Sequence, residues 1–557
     1  MNENSMKFKK FANSALLFAF IFISASVLIS LWLGYLWRNS IFIFVVSAIA
    51  SYLIYRKFHF DLAVKPRIFA LSILMFALCI YSVFLITPFY SASIDSGQIT
   101  ITRLLAEKIP LTYAPYSDVA FSYYVAYHSF VKLFSDLLPI IPDYLWYAFI
   151  GAIIAAVELL AIYLFAREFF RSEHAGEIAA ILFISTRIVF QNFFWGMHPM
   201  ILGMAFALLA AYMYLKRSRL AYLFFPIAIA SHLASALIAV IFILALLLRT
   251  GLKEAGRKLS QFVFSALPAI PSLAVPIMVY IANSLALPKA QNAISLQLLV
   301  EALRFVPLWI GIIASAAFVI ALVLIFTNRK KFLDANAKFL LKLFIFSIII
   351  YSIIALGIVL KEAHSKFISL IVIIAVVFAA GVLAKSKIAQ NRYFKIALLT
   401  ICLASFFSSS LIMELQKGEE KISYSGYQFA REFYNFDPTL EKTLFLTKDS
   451  LAQAMYSNKI PFDVYAYFPR DTFGAFGETQ TLQDKAWRIM MINKNKQDYI
   501  IENKCIECIN DLVKEESIKY VVIEKGYAFD SPYYAEAGIQ WEIAFAYGNF
   551  VVYDMQK

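Results

Sequence analysis

The sequence predicts an α-helical polytopic membrane protein of about thirteen transmembrane helices with a C-terminal extracytoplasmic α/β domain. Three observations carry this. Of 557 residues, 61% are hydrophobic and 16% charged, whereas soluble chains carry about 25% charged residues. Apolar runs of spanning length recur from the N-terminus to residue 413. Residues 414–557 hold 16 basic and 22 acidic side chains within a chain of net charge +13, so the basic excess lies wholly in residues 1–413, in short loops beside the apolar runs. That placement excludes nucleic acid as the partner of the charge, and 53 Phe with 32 Tyr exclude a solvated coil.

The first run, Phe11 to Trp37, follows a basic start (Lys7, Lys9, Lys10). A cleavable leader has a shorter apolar core and a small-residue cleavage site; here a second run at 41–55 follows, so the first reads as an uncleaved span. Further runs lie at 68–89, 143–165, 176–194, 198–215, 220–248, 260–286, 302–326, 338–360, 367–384 and 395–413. The run at 220–248 is long for one span, and His232 divides it, which predicts a pair of short helices.

Orientation follows from Lys and Arg in the short loops. With the N-terminus in the cytoplasm, the inner loops collect groups such as Arg56, Lys57, Lys65 and Arg67, or Lys385, Lys387, Arg392 and Lys395. The outer loops keep a sparse remainder that includes Arg38, Arg103, Lys108, Lys132, Lys289 and Arg304. An odd number of spans then puts the C-terminal region outside. Residues 1–413 form the transmembrane domain, with a long external loop at 90–142. Residues 414–557 form the α/β domain, in which helix-like stretches alternate with β-type runs at Thr443–Thr447, Lys519–Glu524 and Phe550–Tyr553.

Asp95 leads the candidates for chemistry. It follows the third span in Phe89-Tyr-Ser-Ala-Ser-Ile-Asp95-Ser-Gly-Gln, at the outer surface, where a carboxylate can take a proton from an incoming hydroxyl. The plainer account is an N-cap for the amphipathic segment Gln98–Lys108. The aromatic run from Tyr113 through Asp118 to His128 has helical spacing and suits the membrane interface.

Arg187 stands inside an apolar run, where a charge is costly unless it faces a cavity or partner; snorkelling to the outer face is the alternative. His198 and His232 stand at outer ends of spans, and either suits a phosphate or plain structural duty. Glu158, a second intramembrane charge, is expected to pair with Arg167 or a neighbouring helix. Lys361, Glu362, His364 and Lys366 share one external turn, whose three basic groups suit a lipid phosphate or, equally, membrane headgroups. Cys505 and Cys508 form a Cys-x-x-Cys pair. Read without a helix start or βαβ context, the pair is expected to be a disulfide or two idle thiols. Phosphate loops, Ser-His-Asp motifs and His-Glu-x-x-His are absent from the sequence.

This arrangement resembles the C-type (GT-C) membrane glycosyltransferases, which have many spans, a long first external loop with an acid just after a span, and often a C-terminal external domain. The residues that carry the resemblance are Asp95 with its loop to 142, the Trp195-Gly-Met-His-Pro turn, and the short helices around His232. Two extra N-terminal spans depart from it. The resemblance implies sugar transfer from a polyprenyl-phosphate-linked donor to a glycan, lipid or protein acceptor on the outer face of the cell membrane, by inverting general-base chemistry, with Asp95 in the place of the catalytic acid. Arg187, Lys361, His364 and Lys366 are then expected to hold the donor phosphate, with His198, His232, Asp118 and Glu362 in reserve. Oligosaccharyltransferases of that superfamily carry a Trp-Trp-Asp motif and a second, metal-binding acidic motif. Here Trp541-Glu542 is a poor substitute and 191–198 contains no acid, so the resemblance implies a metal-independent transferase with no cofactor. A multi-span transporter or lipid flippase is the competing class, expected to show inverted repeats and matched Gly/Pro breaks.

Overall fold

The computed structural model describes residues 3–37, 39–58, 60, 62–86, 111–112, 120–121, 125–141, 143–187, 193, 197–249, 252–273, 296–355 and 364–417 of the membrane-spanning part and its loops. Towards the C-terminus it describes 428–429, 432–433, 435–437, 443–446, 499–500, 502–516, 518–526 and 541–556. The chain divides into two compact units. The first comprises Met1–Ser82, Tyr124–Ala274 and Gln291–Met413; the second comprises Val83–Tyr123, Val275–Ala290 and Glu414–Lys557.

The first unit is a helix bundle. It opens with α1 (Glu3–Trp37), α2 (Ser40–Lys57) and α3 (Pro66–Ile86). Asn39 caps α2 by accepting the Phe42 N–H at 3.0 Å, and Pro66 starts α3 where a missing N–H costs nothing. The amphipathic α4 (Ala126–Leu137) follows, then α5 (Asp143–Phe170), α6 (Glu173–Ile184) and α7 (His198–Leu215). The run at 220–248 is divided as its length and His232 predict, into α8 (Ala221–Ser231) and α9 (Leu233–Leu248). His232 is extended (φ −167°, ψ 145°), and its Nδ1 accepts the Ala234 N–H at 3.1 Å, so this residue caps α9. After α10 (Leu252–Ser265) come α11 (Leu296–Ile310), α12 (Ile312–Thr327), α13 (Ala335–Ala355), α14 (His364–Leu383) and α15 (Arg392–Lys417). Among the described residues, five helices are long and apolar enough to cross a membrane, and five shorter ones are apolar.

Four expectations change. The span at 176–194 ends at Ile184, because the Ser185 and Thr186 hydroxyls fold back onto the Leu182 and Phe183 carbonyls, each at 2.7 Å. Arg187 therefore lies three residues beyond the end of α6. The run at 302–326 is two helices, broken at Gly311. The described end of the aromatic run is packed inside the protein: Tyr127 and His128, with Phe130, Val131 and Leu133 of α4, are buried, and Phe134 meets Phe44 of α2 and Trp146 of α5, while Tyr113 to Asp118 lie outside the described residues. The two additional N-terminal helices supply part of the apolar surface that receives α4. Finally, Glu158 and Arg167 do not pair. They lie on one helix about 13 Å apart along its axis, and Arg167 instead donates to the Leu62 and Ala63 carbonyls, both at 2.8 Å. Among the described residues, Glu158 is buried without an ion pair.

In α14, apolar residues run all the way round and Phe367–Leu383 is buried, as a helix enclosed by its neighbours requires. It packs against α6, α11, α12 and α13.

In the second unit, β1 (Leu111–Thr112) pairs antiparallel with β2 (Ala120–Phe121). A four-stranded sheet comprises β3 (Thr443–Leu446), β4 (Tyr520–Glu524), β5 (Glu542–Tyr547) and β6 (Phe550–Asp554), in the order β3-β4-β6-β5, with β3 and β4 parallel and the other pairings antiparallel. The connection between the parallel strands contains α16 (Ile506–Glu516), whose Ile509, Leu512 and Val513 pack on Leu444, Leu446, Val521 and Ile523. Phe429 lies tilted against Phe545 and Phe550, and Phe433 against Phe545, in a separate aromatic layer. A small α/β sheet is thus present. α16 has the bounds of the helix-like stretch Ile506–Glu516 in the sequence, and it gives the Cys-x-x-Cys pair a helix-start context that the motif alone did not suggest.

Candidate active site

One end of the bundle holds most of the described candidate groups. Here α4 is fixed by a buried stack of rings. His198, the first residue of α7, lies on Tyr147 of α5 with centroids 4.7 Å apart, and Tyr147 lies in turn on His128 at 6.0 Å. Tyr127 donates its hydroxyl to the Tyr147 carbonyl at 2.6 Å and sits 3.2 Å from His198 Nδ1, while His198 Nε2 is 3.2 Å from the Phe193 carbonyl. Both ring nitrogens of His198 are thus engaged within the protein. Gly151 makes room for this ring: a Cβ there would lie 2.5 Å from His198 Nδ1.

Burial, and then the nearby His198, pulls the His128 imidazole down to about 3 from an ordinary 6.5. Above pH 6.5 it is neutral whether folded or unfolded. Below that, the unfolded chain takes up a proton that the folded chain refuses until about pH 3, so stability falls with pH across this window, by about 1.4 kcal/mol per unit. The unfolding midpoint in detergent is expected to drop more from pH 7 to pH 5 in the wild type than in His128→Gln. Equal drops would remove His128 as the cause.

The second feature is the end of α6. Arg187 is half-buried, and among the described residues it has neither an ion pair nor a hydrogen-bond partner. Beside it stands the break between α11 and α12, where Gly311 has φ +87° and ψ 148°, a conformation reserved for glycine. A Cβ at Gly311 would lie 2.5 Å from the Ser185 carbonyl and 3.4 Å from the Arg187 nitrogen. Gly311→Ala is therefore expected to cost at least about 1–3 kcal/mol through backbone strain alone, more where Ser185 cannot yield. Thermal unfolding would show it, and an unchanged midpoint would mean that the break relaxes freely.

Helix α14 runs antiparallel to α6. Gly381, near its end, takes the Phe170 ring, which adjoins the start of α6, so His364 and Lys366 in the first turn of α14 share the bundle end with Arg187. Asp95, Asp118, Lys361 and Glu362 lie outside the described residues. Asp95 follows the last residue of α3 by nine positions. His232 is at a helix junction, committed to its cap.

The opposite end carries a buried carboxylate. Glu177 is 2% exposed and receives Arg67 of α3, Lys65 at 4.0 Å and Lys395 of α15 at 2.5 Å. Sequence reading missed this cluster, since it joins positions 110 and 218 residues apart. It also passed over Gly151 and Gly311, which stand in apolar runs with nothing local to mark them.

No family model matches the chain, and no curated protein does. Among solved structures, the arabinofuranosyltransferase AftD from Mycobacteria matches with a TM-score of 0.53 at 15% identity, over 88% of this chain and 40% of AftD. The chain thus spans 40% of that protein's length. ArnT from Cupriavidus metallidurans in the apo state matches with a TM-score of 0.43 at 13% identity, over 86% of this chain and 97% of ArnT. At 15% identity the likeness to AftD shows a shared fold.

Proposed function

We propose that this chain is a GT-C-type, metal-independent glycosyltransferase that moves a sugar from a polyprenyl-phosphate-linked donor to an acceptor on the extracytoplasmic face. Asp95 takes the proton of the acceptor hydroxyl as its oxygen attacks the anomeric carbon. The lipid phosphate leaves from the opposite face and the configuration inverts. Charge develops on the leaving phosphate, and cations already in place stabilise it without reorganising. Arg187 supplies one such cation, and Lys361, His364 and Lys366 are the other candidates for this role. The rings around His198 act one step back, holding α4.

The observation that carries this reading is Arg187: a half-buried guanidinium with no partner among the described residues, at the bundle end where α14 begins. Arg187→Gln is expected to raise the apparent donor KM about tenfold or more, since hydrogen bonds to charged groups contribute about 1.5–3 kcal/mol. Arg187→Lys should recover part of the loss. The assay is transfer of labelled sugar from a prenyl-phosphate donor in membranes at matched protein level. Unchanged donor dependence would remove Arg187 from the site.

A transporter or lipid flippase gains one point, the Pro307/Gly311 break beside Ser185. It predicts labelled lipid crossing the bilayer with no glycosylated product, so the appearance of product decides between the two classes.

A further inference from the structure

The Cys505–Cys508 disulfide sits where thiolate chemistry is favoured. Cys505 immediately precedes α16, and its Sγ accepts the Cys508 backbone N–H at 3.2 Å. It therefore satisfies one of the free donors of the first helical turn. A thiolate at this position keeps that hydrogen bond and meets the positive end of the helix dipole; cysteines so placed, and those in Cys-x-x-Cys pairs, ionise below the ordinary value of about 8.5. Both cysteines are half-buried, not enclosed. The bond adds little as a staple, because its sequence separation of 3 closes a very small loop. α16 is already held by Ile509, Leu512 and Val513 on the sheet. Opening the bond leaves that packing in place.

We propose that Cys505–Cys508 is a thiol–disulfide exchange site that accepts electrons from dithiols. A thiolate of the dithiol attacks Cys508 Sγ. The S–S bond breaks, and its electron pair leaves on Cys505 Sγ as a thiolate held by the Cys508 N–H and the helix terminus. The second thiol of the dithiol loses its proton to water and attacks its own sulfur in the mixed disulfide, which frees Cys508 to take up a proton. Two electrons have then passed to the cysteine pair, and the dithiol leaves as a disulfide. A low-pKa leaving thiol speeds the first displacement.

The test uses the full-length protein in detergent with dithiothreitol as the probe dithiol. After brief reduction at pH 7, timed alkylation with iodoacetamide and peptide mapping are expected to show Cys505 labelled at least about tenfold faster than Cys508, with half-maximal rate below pH 8.5. Cys79 and Cys402, both buried, serve as internal controls. Cys508→Ser should keep the fast Cys505 reaction, and Cys505→Ser should leave Cys508 slow. Circular dichroism is expected to be the same before and after reduction. Equal rates at the two positions, or a bond that opens only as the helix unfolds, would overturn the proposal. Sugar transfer does not enter the readout, so the result is independent of the glycosyltransferase reading.

Discussion

Asp95→Asn is expected to lower sugar transfer by about 10²–10⁴ at matched protein level, the usual cost of losing a general base. The substitution preserves size and most hydrogen bonding and removes only the ability to accept a proton. Asn is as good an N-cap as Asp, so a carboxylate that merely caps the segment after it would leave folding and activity near normal. Asp95→Ala harms both roles and cannot separate them. The comparison is labelled-sugar transfer from a prenyl-phosphate donor in membranes, wild type against Asp95→Asn. Retained transfer would remove Asp95, and Asp118 and Glu362 would be the next external acids to test.

The parts of the fold that could be read in advance are those whose signals are local. A 29-residue apolar run interrupted by one histidine announces the junction at His232, and α7 begins at the His198-Pro199 step that the sequence marks. The end of α6 was illegible because Ser185 and Thr186 are tolerated in an apolar run; only their back-bonded hydroxyls show the stop. Gly311 follows the same logic. A lone glycine in a span is unremarkable until the Ser185 carbonyl comes close enough to exclude a Cβ, which is a tertiary fact. Arg187 was visible as a misplaced charge, but its setting at a helix end beside a broken helix was not. His128 looked like one more member of an aromatic run, and only the helices around it make it a buried neutral imidazole.

Glu177→Gln is expected to lower the unfolding free energy by about 3 kcal/mol, the low end of the range for breaking a buried ion pair. The low end applies because two of the three cations around Glu177 can return to water: the side chains of Arg67 and Lys65 are 53% and 36% exposed. Lys395 cannot, with a side chain only 11% exposed. Its remaining contact is His174 Nδ1 at 2.5 Å. Burial, followed by the charges of Lys395, Lys65 and Arg67, holds the His174 imidazole below its usual range. The ring is then neutral at pH 7, so its 3.7 Å approach to Glu177 is no ion pair, and Nδ1 simply accepts a hydrogen bond from the Lys395 ammonium. Without the carboxylate, the ammonium keeps that one neutral partner, and the penalty resides mainly there. The double variant Glu177→Gln/Lys395→Met removes the stranded charge and should recover at least half of the loss. Thermal or denaturant unfolding of the four proteins in detergent forms a double-mutant cycle. Additive losses would show that Glu177 and Lys395 act separately. Strong coupling would mark them as one anchor that ties α3 and α15 to α6, and so steadies the helices that lead to Asp95 and Arg187.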